Sequence, residues 1–134
     1  MIQINIDVLV PVAPFEPVEI VEKSMESLEK LETPEDSDVK IRYVVDTEDR
    51  KNDERIKAVD KASENFEAIV RTSTKGRRAG ALNKGIEEIT DPGYIAIFDV
   101  DSRPKKDFIT VCINELEKDE DVFMATCPRD IINK

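Results

Sequence analysis

Histidine is missing altogether from this 134-residue chain. Its absence excludes Ser-His-Asp triads, histidine general bases and histidine-ligated metals. Cysteine is nearly missing. Cys112 and Cys127 alone cannot build a disulfide framework or a zinc site, so a reduced, cytoplasmic compartment is expected. No apolar run approaches the ~18–20 residues of a membrane span. The opening Met1-Ile2-Gln3-Ile4-Asn5-Ile6 has no basic region, so it does not read as a signal peptide. Bases are outnumbered, 20 against 30 acids, for a net charge of −10. Such a chain is a poor general binder of nucleic acid. Any metal must sit on carboxylates, which selects a hard ion such as Mg²⁺ or Mn²⁺.

What is present supports one packed domain over residues 1–134. The 40% hydrophobic content argues against disorder, and the length suits a single core. No repeat or Gly/Ser linker divides the chain. Residues 2–12 read as a strand closed by Pro11 and Pro14. Pro17 then suits a helix start, followed by Val18, Val21, Met25, Leu28 and Leu31 at helical spacing. Val39–Val45 reads as a second strand. A charged helix is expected over about 51–64, with Ile56, Val59 and Ala62 on one face. Phe66–Arg71 is a third strand. Ala79, Leu82, Ile86 and Ile89 mark a helix that stops before Pro92-Gly93. Tyr94–Phe98 is a fourth strand, apolar throughout. Pro104 opens a helix bearing Phe108, Cys112 and Leu116, and Val122–Cys127 is a last strand. Both cysteines read as core. The acids of 115–121 read as a solvated helix end. The alternation predicts a three-layer α/β/α fold with a mostly parallel sheet covered on both faces.

Such sheets bind ligands beyond the carboxyl ends of their strands. Four segments lie there: Val12–Phe15, Asp46–Asp49, Thr72–Gly80 and Asp99–Pro104. From Ala68 to Ile86 there is no acid, but there are Arg71, Lys75, Arg77, Arg78 and Lys84. Three of the four glycines, Gly76, Gly80 and Gly85, lie in the same stretch. A glycine-bearing loop running into a helix N-terminus favours an anion such as a diphosphate; the plainer alternative is a solvated basic loop. Asp99-Val100-Asp101 ends an apolar strand. In a strand its carboxylates would share one face and could hold one divalent ion. Alternatively Asp101 or Ser102 caps the helix opening at Pro104. Asp46 could accept from a base N–H or a ribose hydroxyl, or cap the helix that follows it.

Ile6–Val12, Tyr43-Val44-Val45-Asp46, Lys75–Gly85 and Ala96–Pro104, in this order, resemble the segments of family 2 glycosyltransferases, which have the GT-A fold. Lys75–Gly85 is similar to their G-K-x-x-A-L-N-x-G segment, and Asp99-Val100-Asp101 to their D-x-D segment. The resemblance implies a nucleotide-diphospho-sugar donor, most often a UDP-sugar, with Mn²⁺ or Mg²⁺. It implies that Pro11, Ala13, Phe15 and Asp46 surround the base. Asp99 would lie near the ribose and first phosphate, Asp101 would ligate the metal with Asp99 beside it, and Lys75, Arg77 and Arg78 would lie near base or diphosphate. Thr47 stands where many members carry a second acid. It further implies inverting transfer to an acceptor hydroxyl of unknown identity on a sugar, lipid or protein. The family's acceptor-facing half, which carries the catalytic base, has no counterpart in this stretch, which reads either as the donor-binding half of a longer enzyme or as a short relative that has lost catalysis; the 134 residues alone are expected to be inactive and no catalytic residue is assigned. A longer parent with membrane helices would work at the cytoplasmic face. Rival readings are a non-catalytic nucleotide-binding or interaction module, an aspartyl phosphotransferase and a sugar nucleotidyltransferase. The phosphotransferase carries its Asp-x-Asp on the first strand. The nucleotidyltransferase has a glycine-rich loop where this chain has Val12-Ala13-Pro14-Phe15.

Overall fold

A computed structural model describes residues 4–90 and 93–118. The elements run β1 (Ile4–Val12), α1 (Val18–Glu29), β2 (Ser37–Asp46), α2 (Glu54–Asp60), β3 (Phe66–Arg71), α3 (Arg77–Glu87), β4 (Tyr94–Ile97) and α4 (Phe108–Lys118). The four strands form one sheet in the order β3-β2-β1-β4. Every neighbouring pair is parallel. The expected fifth strand, Val122–Cys127, lies outside the described residues.

Strand periodicity sorts the side chains. On one face Ile6, Val8, Val10, Val12, Ile41, Tyr43, Val45 and Phe66 pack with Val21 and Leu28 of α1, Ile56 and Val59 of α2, and Ile109 and Ile113 of α4. The Tyr43 hydroxyl, carried into that core, pairs with Ser24 Oγ at 2.8 Å. Burial pushes its pKa up, against the opposing pull of that hydrogen bond. Among the described residues, the other face is covered by α3. Ala81 packs on Val44 and Ile69. A Cβ on Gly85 would sit 2.9 Å from the Leu9 side chain, so the missing side chain is what lets helix and sheet approach. On that same face Asp7 and Arg42 are buried as an ion pair.

Three expectations change. The helix expected over 51–64 is only Glu54–Asp60: Asp53 caps its start by accepting from Arg55 N at 2.9 Å, and past Asp60 the Ala62 N–H bonds to the Val59 carbonyl at 3.1 Å in a tighter turn. β4 is not covered on both faces among the described residues. Ile95 and Ile97 stay 45% exposed, because α3 sits over β1 and β2. Pro11 lies inside β1 rather than after it. The Leu9 carbonyl accepts from Phe98 N, so Pro11 two residues on faces the same side, where β4 has already ended. A proline there forfeits no ladder bond.

This is also where the chain reverses direction. It moves from β1 out to β3, then returns across the sheet to β4. Parallel α/β sheets open a crevice at such a switch point, beyond the strand ends.

Candidate functional site

A cavity of about 480 Å³ opens at that switch point. Pro11, Ala13, Phe15, Asp46, Arg77, Arg78, Asp99 and Asp101 all line it, with Thr74, Ala81 and Glu16 between them. Of the donor and metal residues singled out in sequence, only Lys75 does not line it; its carbonyl is instead held by Arg71.

The Asp99–Asp101 segment is not strand. β4 ends at Ile97, and Ser102 N donates to Asp99 O at 2.9 Å, closing a turn. Both residues still line the cavity, while Val100 between them is buried in the core with Phe98. The cap alternative does not apply at Pro104, since α4 begins at Phe108. Asp99 Oδ1 accepts from Arg78 Nη2 at 2.7 Å and from Nε at 3.1 Å. Both side chains of this pair are well exposed, 53% for Arg78 and 38% for Asp99.

The basic loop enters α3 through two left-handed residues, Gly76 at φ 76° and Arg77 at φ 50°. For a non-glycine residue such a conformation costs about 1–2 kcal/mol. Arg71 offsets it by gripping the loop from the sheet. Its Nη2 donates to Arg77 O at 2.9 Å and its Nη1 to Lys75 O. A Cβ on Gly80 would overlap that Lys75 carbonyl and crowd Arg71 Nη1, so only glycine fits there.

Arg71 also forms a fork on Asp46, Nε to Oδ1 and Nη2 to Oδ2, both 2.7 Å. That hydrogen-bonded carboxylate raises the arginine's pKa further, against the cost of burial. Asp46 does not cap α2, a role taken by Asp53. Its backbone carbonyl is held by Arg55 Nη2 at 3.0 Å.

The sequence pattern gives Arg55 no role in the site and marks Arg71 only as part of a basic stretch. A signal for Arg55 existed. It lies four residues before Val59 on the face carrying Ile56, Val59 and Ala62, where a core residue would be expected. Arg71 carried no comparable signal. Its role depends on β2 and β3 pairing Asp46 with Arg71 in register.

As donors for a cation, Asp99 and Asp101 offer hard oxygens, which fit Mg²⁺ or Mn²⁺ in chemistry. Two carboxylates do not complete a coordination sphere. No group of three or more His, Cys, Asp or Glu side chains that could hold a metal occurs among the described residues. Fit therefore requires oxygens from a ligand.

Fold and cavity together define a GT-A-like domain: a parallel α/β sheet with a ligand crevice at its switch point. The family model for glycosyl transferase family 2 matches residues 15–134. The chain belongs to that family, and its function is glycosyltransferase-like. No curated protein matches it. No helix among the described residues is long and apolar enough to cross a membrane.

Proposed function

We propose that the cavity takes the nucleotide end of a nucleotide-diphospho-sugar, a UDP-sugar first, together with Mn²⁺ or Mg²⁺. The domain then serves inverting transfer of the sugar to an acceptor hydroxyl. One observation carries the reading: an acidic turn, Asp99 to Asp101, and a basic helix start, Arg77-Arg78, line one cavity side by side, in contact through Arg78 and Asp99. The first suits a hard cation and the second suits phosphate oxygens. When bound, the ion would neutralise diphosphate charge. Arg77 and Arg78 donate hydrogen bonds to the same group, where negative charge grows as the sugar leaves.

The base end falls to the opposite wall. Phe15, 82% exposed, offers a flat apolar surface beside Ala13 and Pro11. Each Asp46 oxygen accepts one Arg71 N–H and keeps a lone pair for a base N–H. In the transfer, an acceptor oxygen bonds to the anomeric carbon, the bond to the diphosphate oxygen breaks towards the diphosphate, and the acceptor proton passes to a base. The proposal includes a cytoplasmic setting, where Cys112 and Cys127 stay reduced.

The test is calorimetric titration of UDP in Mn²⁺ and in EDTA, followed by UDP-sugars with sugar, lipid and protein acceptors while UDP release is monitored. Tighter UDP binding in Mn²⁺ is expected, with no acceptor-dependent release from these 134 residues; release accelerated by any acceptor would show that they hold a full active site. Equal affinity in both buffers sinks the metal role. Metal-dependent binding with no release even in the longest native chain makes this a non-catalytic nucleotide-binding module.

A further inference from the structure

Arg55 does not line the cavity, yet no side chain in the described residues carries more of its architecture. It is 7% exposed. Its Nε and Nη2 grip Asp53 at 3.0 and 2.7 Å. Nη2 also holds the Asp46 carbonyl. Nη1 reaches across to the loop after β1, donating to Ala13 O at 2.7 Å and Glu16 O at 3.2 Å, with Pro14 O at 3.4 Å. Three carbonyls of one four-residue loop thus converge on one nitrogen. Besides this, the loop's internal tie is Glu16 N to Ala13 O at 3.1 Å. The loop presents Phe15 to solvent at the cavity's rim. An exposed aromatic ring can serve as a platform only if its backbone is fixed, since ordering it on binding costs affinity.

We infer that Arg55 is a positioning residue for the nucleobase end of the donor: its guanidinium fixes the 13–16 loop, and with it Phe15, against the end of β2. This rests on the donor reading above. Arg55 thereby sets affinity for the nucleoside and not for the diphosphate, which belongs to the other wall. Lysine cannot replace it, because a single ammonium cannot grip Asp53, the Asp46 carbonyl and the loop carbonyls at once.

The chain has no tryptophan, so Phe15→Trp installs a single indole fluorophore on the loop. In that background, Arg55→Met and Arg55→Lys are compared with the parent. The readouts are the anisotropy decay of the indole, thermal melting, and calorimetry with uridine and with pyrophosphate plus Mn²⁺. Release of indole motion is expected well below the melting temperature in both variants. Uridine affinity should fall at least tenfold, with pyrophosphate affinity unchanged. A merely structural role would weaken both ligands together and only near melting. Either that result or an unchanged indole anisotropy overturns the inference. If Arg55→Met does not fold, Arg55→Lys carries the comparison. A parent that binds pyrophosphate but no nucleoside overturns both the donor reading and the nucleobase assignment. Mobility of the indole still reports separately whether Arg55 holds the loop.

Discussion

The two walls of the cavity are built from the same chemistry and behave oppositely. On the β2–β3 side, Arg71 and Asp46 form a fork with side chains only 11% and 6% exposed. On the α3–β4 side, Arg78 and Asp99 form a similar contact with both side chains open to water. The first pair is committed to structure: it joins two strands and holds a strained loop. The second is cheap to exchange, because water can solvate either partner once the contact breaks. Burial, rather than residue type, decides whether an Arg–Asp contact is a brace or a latch. A ligand that needs carboxylates for a cation and guanidinium groups for phosphate would displace the second pair and leave the first intact.

Breaking the braced wall should have the largest effect. Arg71→Met strands the buried Asp46 carboxylate and frees the Lys75 and Arg77 carbonyls. Loss of one partner of a buried pair costs about 3–5 kcal/mol. Urea denaturation should show that loss, whereas a change below about 1 kcal/mol would make the fork no different from a surface pair.

Breaking the latch should leave stability alone and change binding instead. Arg78→Ala should alter the unfolding free energy by less than about 1 kcal/mol. It should weaken UDP by about 1.5–3 kcal/mol, the worth of a charged hydrogen bond, and leave uridine unaffected. Calorimetry with both ligands checks it. An equal loss for both would move Arg78 away from the diphosphate.

Acid sharpens the contrast within the braced wall. The Arg55 hydrogen bond, its largest cause, holds the Asp53 carboxyl well below the usual carboxylate range. A depressed carboxylate contributes stability that is complete above its unfolded value, about pH 4, and is lost as pH falls towards the folded value. Asp53→Asn should therefore cost about 1–2 kcal/mol at neutral pH. The gap to the parent should close as pH drops below about 4. A gap independent of pH would mean the charge is not what matters.

The smallest effect expected concerns the cation. Mn²⁺ should tighten UDP by about tenfold, roughly 1.4 kcal/mol, and Asp101→Ala should abolish the difference between Mn²⁺ and EDTA. Persistence of the difference in Asp101→Ala would put the cation elsewhere.

Much of the fold was legible because it rests on local patterning. Alternation giving way to a nearly continuous apolar run in 4–12, apolar residues in 39–45, helical spacing in 18–29 and 108–118, and proline and glycine between them all act within a few residues. The expectations that went astray have different causes. α2 starts late because of a local cap by Asp53, whereas β4 is bare on one face among the described residues for a tertiary reason, since α3 packs over β1 and β2. The candidate site was legible where the residue type was itself unusual, as in the acid-free basic stretch and the paired aspartates. Its supports were not legible, because an arginine in sequence does not say whether water will surround it.

The sequence by itself determined the order of strands and helices, the parallel sheet that follows from crossover helices, and which polar segments gather at its carboxyl edge. Only the tertiary structure decided what those segments do there. The strand register sets Arg71 beside Asp46. A turn after β4, closed by Ser102 N on the Asp99 carbonyl, brings Asp99 and Asp101 to the cavity without any strand geometry. The reach of Arg55 from α2 to the 13–16 loop spans 39 to 42 residues of chain. Contacts over such separations form only when the whole core has formed, so no local reading of residues can supply them.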